Sequence, residues 1–171
     1  MHIRPSAAKD LPAIQSIYAY HVLHGLASFE EEAPALEDMR RRYEDVVRQG
    51  LPYLVAEEKG EVLGYGYCTL YRTRSAYRYT LEDSIYVKEG RQGKGIGKAL
   101  LAELIERCAA LNYRQMIAVI GDSANAASIA VHASLGFVRA GNLRSSGYKF
   151  GRWVDSVLMQ LPLGAGDGTK P

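Results

Sequence analysis

A chain of 171 residues, 47% hydrophobic and 23% charged, is long enough to bury one substantial core and is far from the composition of a disordered segment. Its formal net charge of +2 gives no bulk attraction to nucleic acid or to a membrane surface. Cys68 and Cys108 lie far apart with neither metal nor redox spacing, the first residues lack the apolar core of a secretion signal, and no apolar run is long enough to span a bilayer. A cytoplasmic protein with no metal is therefore the expectation.

In chain order, "HIRP" reads as a short first strand. "DLPAIQSIYAYHVL" reads as a helix with Asp10 as N-cap, Pro12 in the first turn, and Leu11, Ile14, Ile17 and Tyr18 on one face. "LEDMRRRYEDVVRQG" predicts a second helix ended by Gly50. "PYLVAEE", a turn at "KGE" and "VLGYGYCTLY" predict a hairpin, and "YRYTLEDSIYV" a further strand rich in aromatic and β-branched residues. Ile96, Leu100, Leu101, Leu104, Ile105, Cys108 and Leu111 recur at helical spacing. "RQMIAVI" predicts a buried strand, "NAASIAVHASLGF" a helix capped by Asn125 and closed by Gly136, and "KFGRWVDSVLMQLPL" a long final strand. The order βαα-βββ-α-β-α-ββ, without a composition break, implies one mixed α/β domain over residues 1–163 with a mostly antiparallel sheet. Residues 164–171, small and polar, read as a loose tail.

The segment "GRQGKGIGKALL" places Gly93, Gly95 and Gly97 directly before a helix, where glycine costs backbone entropy. The offset has a physical candidate. A helix N-terminus carries unpaired N–H groups and a partial positive charge, and glycine lets a phosphate approach the backbone. Arg91, Lys94 and Lys98 add diffuse positive charge. The spacing fits neither the P-loop, since Lys98 is followed by Ala99, nor the dinucleotide fingerprint G-x-G-x-x-G.

"RQGKGIG" matches Q/R-x-x-G-x-G/A through Gln92, Gly95 and Gly97, and so resembles the pyrophosphate motif of the GNAT superfamily of N-acetyltransferases, which bind acetyl-CoA. With "YTLEDSIYV", "NAASIAVHASLGF" and "KFGRWVD", the resemblance narrows to bacterial phosphinothricin and methionine sulfoximine acetyltransferases, and runs from about Ile3 to Leu161. It implies a splayed sheet of about seven strands flanked by four helices. It also implies transfer of an acetyl group from acetyl-CoA to the α-amine of a small amino-acid-like acceptor.

The resemblance puts the general base at Glu82, whose partial burial on a strand would raise its pKa. Adjacent Asp83 is expected on the opposite face. Ile85, Tyr86 and Val87 would hold the pantetheine arm, with Val87 N–H as oxyanion donor. Gln92, Gly93, Lys94, Gly95, Ile96, Gly97 and Lys98 would hold the pyrophosphate, with Asn125 and Ser134 nearby. Asn125 is equally a plain helix cap. Many superfamily members carry a general-acid tyrosine four residues before the Gly-Phe pair. Here that slot is His132, ahead of Gly136 and Phe137, as in the phosphinothricin group. A packed or solvated histidine is the alternative to an acid.

For the acceptor, "YRTRSAY" offers Arg72, Arg74, Ser75 and Tyr77, where arginine suits a carboxylate or phosphinate. "ASFEEEAP" offers Phe29 and Glu32 on a loop that walls the pocket in such enzymes. Phe150 and Trp153 lie in a region through which relatives dimerise, implying a homodimer. Two other readings stay open. One is the same chemistry on a protein N-terminus, lysine or polyamine, and the other is a CoA-binding module without turnover.

Overall fold

Alternating and helical apolar patterns become seven strands and four helices in the computed structural model, which describes residues 1–171. In chain order these are β1 (His2–Pro5), α1 (Leu11–His24), α2 (Leu36–Arg48), β2 (Tyr53–Glu58), β3 (Glu61–Leu70), β4 (Thr80–Val87), α3 (Ile96–Ala110), β5 (Gln115–Gly121), α4 (Ala126–Ala133), β6 (Val138–Lys149) and β7 (Arg152–Pro162). One sheet runs β1-β2-β3-β4-β5-β7-β6. Every neighbouring pair is antiparallel except β4 with β5, which α3 connects as a parallel crossover. The mixed α/β class expected from the sequence is the one observed.

The helices lie against the sheet through their apolar stripes. α1 buries Leu11, Ile14, Ile17, Tyr18 and Val22, and α3 buries Ile96, Leu100, Leu101, Leu104 and Cys108. These join the strand residues in one continuous core. Such burial contributes about 1.5–3 kcal/mol per large apolar side chain, set against conformational entropy of similar total size.

Two local expectations are corrected. Asp10 does not cap α1 with its side chain. Its backbone is already helical, at the end of a short 3₁₀ turn, so the carboxylate turns back towards β1. There it accepts two hydrogen bonds from Arg4 (2.7 and 2.8 Å) and one from Ala7 N–H (2.8 Å). The segment "KFGRWVDSVLMQLPL" is not one strand. Phe150 and Gly151 both adopt positive φ (51° and 74°), the requirement of a tight two-residue hairpin, so β6 ends at Lys149 and β7 begins at Arg152.

The parallel pair sets up the site. β4 and β5 pair from Thr80/Gln115 to Asp83/Ala118 and then diverge. β5 continues to Gly121 alongside β7, while β4 continues to Val87 alongside β3. The sheet therefore opens as a V between Ser84–Val87 and Val119–Gly121.

Candidate active site

The V holds a cavity of about 690 Å³, lined by β4 from Glu82 to Val87, by the glycine loop, by Ala118–Gly121 of β5, by α4, and by Leu26–Phe29 of the loop after α1. Backbone geometry makes one wall a row of unused groups. Bonds from Lys88 N–H to Leu63 O and from Tyr71 N–H to Thr80 O bracket the β3–β4 ladder. By strand alternation Glu82, Ser84 and Tyr86 direct their main-chain groups to β3, and Asp83, Ile85 and Val87 direct theirs to β5. Pairing with β5 stops at Asp83, so the N–H groups of Ile85 and Val87 face the opening without a strand partner. Val87 O is taken by His21, whose Nε2 donates across 2.8 Å.

At the upper end, Gly93 and Gly95 have φ of 74° and 78°, and Gly95 occupies the N-cap position of α3. Side chains at these two positions are strained whatever the space around them. Gly97 has ordinary φ; a Cβ there would sit 3.6 Å from Val87 Cγ2, over the cavity floor. The first helical bond runs from Ala99 N–H to Gly95 O. The N–H groups from Gln92 to Lys98 therefore have no partner in the chain, and they converge with the positive end of the α3 dipole. Gln92, Gly93, Gly95, Ile96, Gly97 and Lys98 line the cavity. Lys94 is exposed and outside the lining, because the loop turns its side chain to solvent. Arg91 is tied to Glu61 at 2.8 Å, beside the Lys88–Glu61 pair at 2.7 Å.

Glu82 is half-buried on the cavity wall and its carboxylate makes no hydrogen bond within the chain. Burial, then the neighbouring Asp83 charge, raise its pKa above the ordinary glutamate value, opposed by Arg72. Asp83 is buried and points to α4, where its Oδ2 lies 3.1 Å from His132 Nε2. Its Oδ1 is buried without a partner. His132 Nδ1 sits 2.7 Å from Ser128 O. A carbonyl only accepts, so Nδ1 carries a proton. Burial lowers the His132 pKa, but the Asp83 carboxylate and the Ser128 carbonyl outweigh it and the net shift is upward. His132 is thus a buried, paired imidazole, with its ring edge-on to Phe137 at 5.0 Å. Asn125 accepts from Ser128 N–H as the α4 cap and also borders the cavity. Ser134 lies beyond the end of α4, exposed and outside the lining, with its hydroxyl spent on Val131 O at 2.8 Å.

Of the acceptor candidates, only Phe29 and Glu82 line the cavity. Glu32 is exposed on the loop between α1 and α2. Arg72, Arg74, Ser75 and Tyr77 are exposed on the turn between β3 and β4. The Arg72 guanidinium lies over the Tyr71 ring, 4.2 Å from its centroid. None of these side chains lines the cavity within one chain, although Arg72 acts on the Glu82 charge from outside it. Sequence reasoning missed His21, Ser28 and Ser156, which do line it. His21 falls on the buried stripe of α1, four residues after Ile17 and three after Tyr18, and carries a readable signal, a histidine on the sheet-facing side of the helix. Ser28 and Ser156 carry none.

A splayed parallel pair, a glycine-led helix N-terminus and a half-buried carboxylate on the splayed strand define an acyl-CoA-type transferase site. The chain belongs to the acetyltransferase (GNAT) family, whose model matches residues 17–137. It is 58% identical to the phosphinothricin N-acetyltransferase of Alcaligenes faecalis over 95% of this chain and 82% of that protein. It is 42% identical to the L-methionine sulfoximine/L-methionine sulfone acetyltransferase of Pseudomonas aeruginosa, over 94% of each. Among solved structures, the phosphinothricin acetyltransferase of Sinorhizobium meliloti in complex with acetyl-CoA superposes with a TM-score of 0.96. That match has 48% identity and covers 99% of this chain and 92% of that one.

Proposed function

We propose that this chain transfers the acetyl group of acetyl-CoA to the α-amine of a small amino-acid-like acceptor of the phosphinothricin or methionine sulfoximine type. The observation that carries this is the V-shaped opening itself. It joins a row of free N–H donors at Gln92–Lys98 to a half-buried, unbonded carboxylate at Glu82, through a strand edge with unpaired N–H groups. The names of the two enzymes described above support the acceptor class.

The residues fit the co-substrate. Gln92–Lys98 would receive the pyrophosphate on N–H groups that nothing else in the chain uses, with Lys98 adding charge. Ile85 and Val87 would bond the pantetheine amides as an extra strand would, and Val87 N–H would stabilise charge on the thioester oxygen. Bound acetyl-CoA supplies the thioester carbonyl that the amine attacks. Glu82 takes a proton from the ammonium and leaves the amine neutral and nucleophilic, a role helped by its raised pKa. His21 bonds the Val87 carbonyl, in the peptide that follows the Val87 N–H, and so anchors the end of this strand edge. Asn125 would border the pantetheine. His132, which lines the cavity between Asp83 and Ser128, would give a proton to the leaving thiolate. Ser134 and Lys94 would contribute outside the wall, at the outer part of the co-substrate. Arg72, Arg74, Ser75, Tyr77 and Glu32 would rim the acceptor entrance.

A homodimer fits the same surface. β6 is an edge strand exposed along nearly its whole length, and Tyr148, Phe150 and Trp153 are each more than half exposed on its hairpin. Light scattering of the purified protein tests this, with twice the 18.9 kDa chain mass expected. Steady-state release of free CoA thiol with a panel of amines tests the activity. Turnover with methionine sulfone and phosphinothricin, and none with polyamines or peptide N-termini, is the expected result. Thiol release with peptides alone would overturn the acceptor class.

A further inference from the structure

Lys149, at the end of β6, is 1% exposed and takes part in no ion pair. Its Nζ donates to Gly25 O at 2.9 Å and to Ser28 O at 2.7 Å, and lies 5.0 Å from the Phe150 ring. A buried cation without a carboxylate partner is costly, so the site it occupies needs a reason. Glu31 and Glu30 act on it only at a distance, and burial lowers its pKa.

The segment that Lys149 grips is the cavity wall from Leu26 to Phe29. In a trans peptide the N–H points opposite to the C=O. With Gly25 O and Ser28 O turned to the ammonium, the N–H groups of Leu26 and Phe29 point away from it. No N–H between Leu26 and Phe29 finds an acceptor in the chain. Two further features hold the segment in this position. A Cβ at Gly121 would lie 2.0 Å from Leu26 O, and one at Gly147 would lie 2.4 Å from the Phe29 ring, so both sites admit only glycine without displacement. The Ser28 hydroxyl is fixed by Tyr18 Oη at 2.9 Å and Glu30 N–H at 3.1 Å. Free N–H groups on a rigid loop, backed by a desolvated positive charge, form an anion receptor.

We propose that the Gly25–Phe29 loop, held and polarised by Lys149, is the anion-recognition element of the acceptor pocket and receives the acceptor's carboxylate. This rests on the acetyl-transfer reading above and names which part of the site selects its substrate. Lys149 is a positioning residue, acting through the loop and not by contact with substrate. An arriving carboxylate supplies the missing counter-charge across the peptide dipoles, and it is aimed so that the α-amine remains free for Glu82.

The test compares L-methionine sulfone with its carboxamide as acceptors in wild type and in Lys149→Gln, Lys149→Met and Gly147→Ala. Wild type is expected to favour the acid in kcat/KM. Loss of the charge in Lys149→Gln and Lys149→Met should reduce that preference about tenfold or more through acceptor KM, with acetyl-CoA KM unchanged. Gly147→Ala displaces Phe29 without altering charge, so it should weaken acid and amide alike. A fall of equal size for acid and amide in the Lys149 variants would overturn the proposal, as would an unchanged acceptor KM. If wild type acetylates neither compound, the acetyl-transfer reading falls and the proposal with it. If the Lys149 variants do not fold, amide NMR of wild type decides. The Leu26–Phe29 N–H resonances should shift with the acid and not with the amide, and shifts confined to other loops refute the assignment.

Discussion

Replacing Glu82 by Gln separates catalysis from stability. Its carboxylate makes no hydrogen bond within the chain, so the amide leaves no partner unsatisfied. A carboxyl whose folded-state pKa is raised lowers stability once pH exceeds its unfolded value, because the folded state binds more protons in that window. Glu82→Gln should therefore melt at the wild-type temperature or slightly above it near pH 7, and the difference should vanish near pH 4. Turnover should move the other way. Loss of a general base typically costs about 10²–10⁴-fold, or about 2.7–5.4 kcal/mol of barrier. The acid limb of wild-type kcat/KM should lie above the ordinary glutamate range, since burial and Asp83 shift Glu82 upward. The assay is thiol release at saturating acetyl-CoA over pH 5–9, with melting curves over pH 4–9. Turnover in Glu82→Gln within threefold of wild type would refute the base assignment. A large fall in melting temperature would refute the account of its environment.

Gly97→Val should raise acetyl-CoA KM at least tenfold while the fold persists, because Gly97 has ordinary φ and its Cβ meets only the side chains of Val87 at 3.6 Å and Ile85 at 3.9 Å, both ordinary contacts. Gly95→Val is a poorer probe, since its positive φ adds strain at the start of α3. The upward-shifted His132 contributes stability that is fully present below its unfolded pKa near 6.5 and fades as pH rises through the folded value. The melting temperature of wild type should therefore fall more between pH 6 and pH 9 than that of His132→Gln. Arg4→Ala leaves the buried Asp10 carboxylate without its main partner and should cost about 2–3 kcal/mol at pH 7 by denaturant titration. Asp10 has a lowered pKa, with its Arg4 hydrogen bonds as the main cause, so that cost should shrink as pH falls towards 3 and Asp10 protonates.

The parts of this site that depend on local backbone are legible in the amino-acid sequence. Gly93 and Gly95 announce positive φ, the periodicity from Ile96 announces α3, and strand alternation separates Glu82 from Asp83. What is not legible depends on where distant segments meet. The strand period gives no sign that pairing with β5 stops at Asp83, yet that single ending frees the Ile85 and Val87 N–H groups. His132 reads as a choice between acid and packing residue because its partners, Asp83 and Ser128 O, come from another strand and from the backbone. Arg72 and Arg74 suit acceptor recognition by charge type alone, and charge type carries no direction. The turn that bears them lies outside the cavity lining, while the cation bonded to the Gly25–Ser28 backbone is Lys149, more than a hundred residues from the loop it holds. In the sequence Lys149 sits among Tyr148, Phe150 and Trp153, all exposed, and nothing in that stretch marks the lysine as the buried member. Its burial follows from the Phe150–Gly151 turn, which sets the register of β6 against β7 and so decides which side chain faces Gly25 and Ser28.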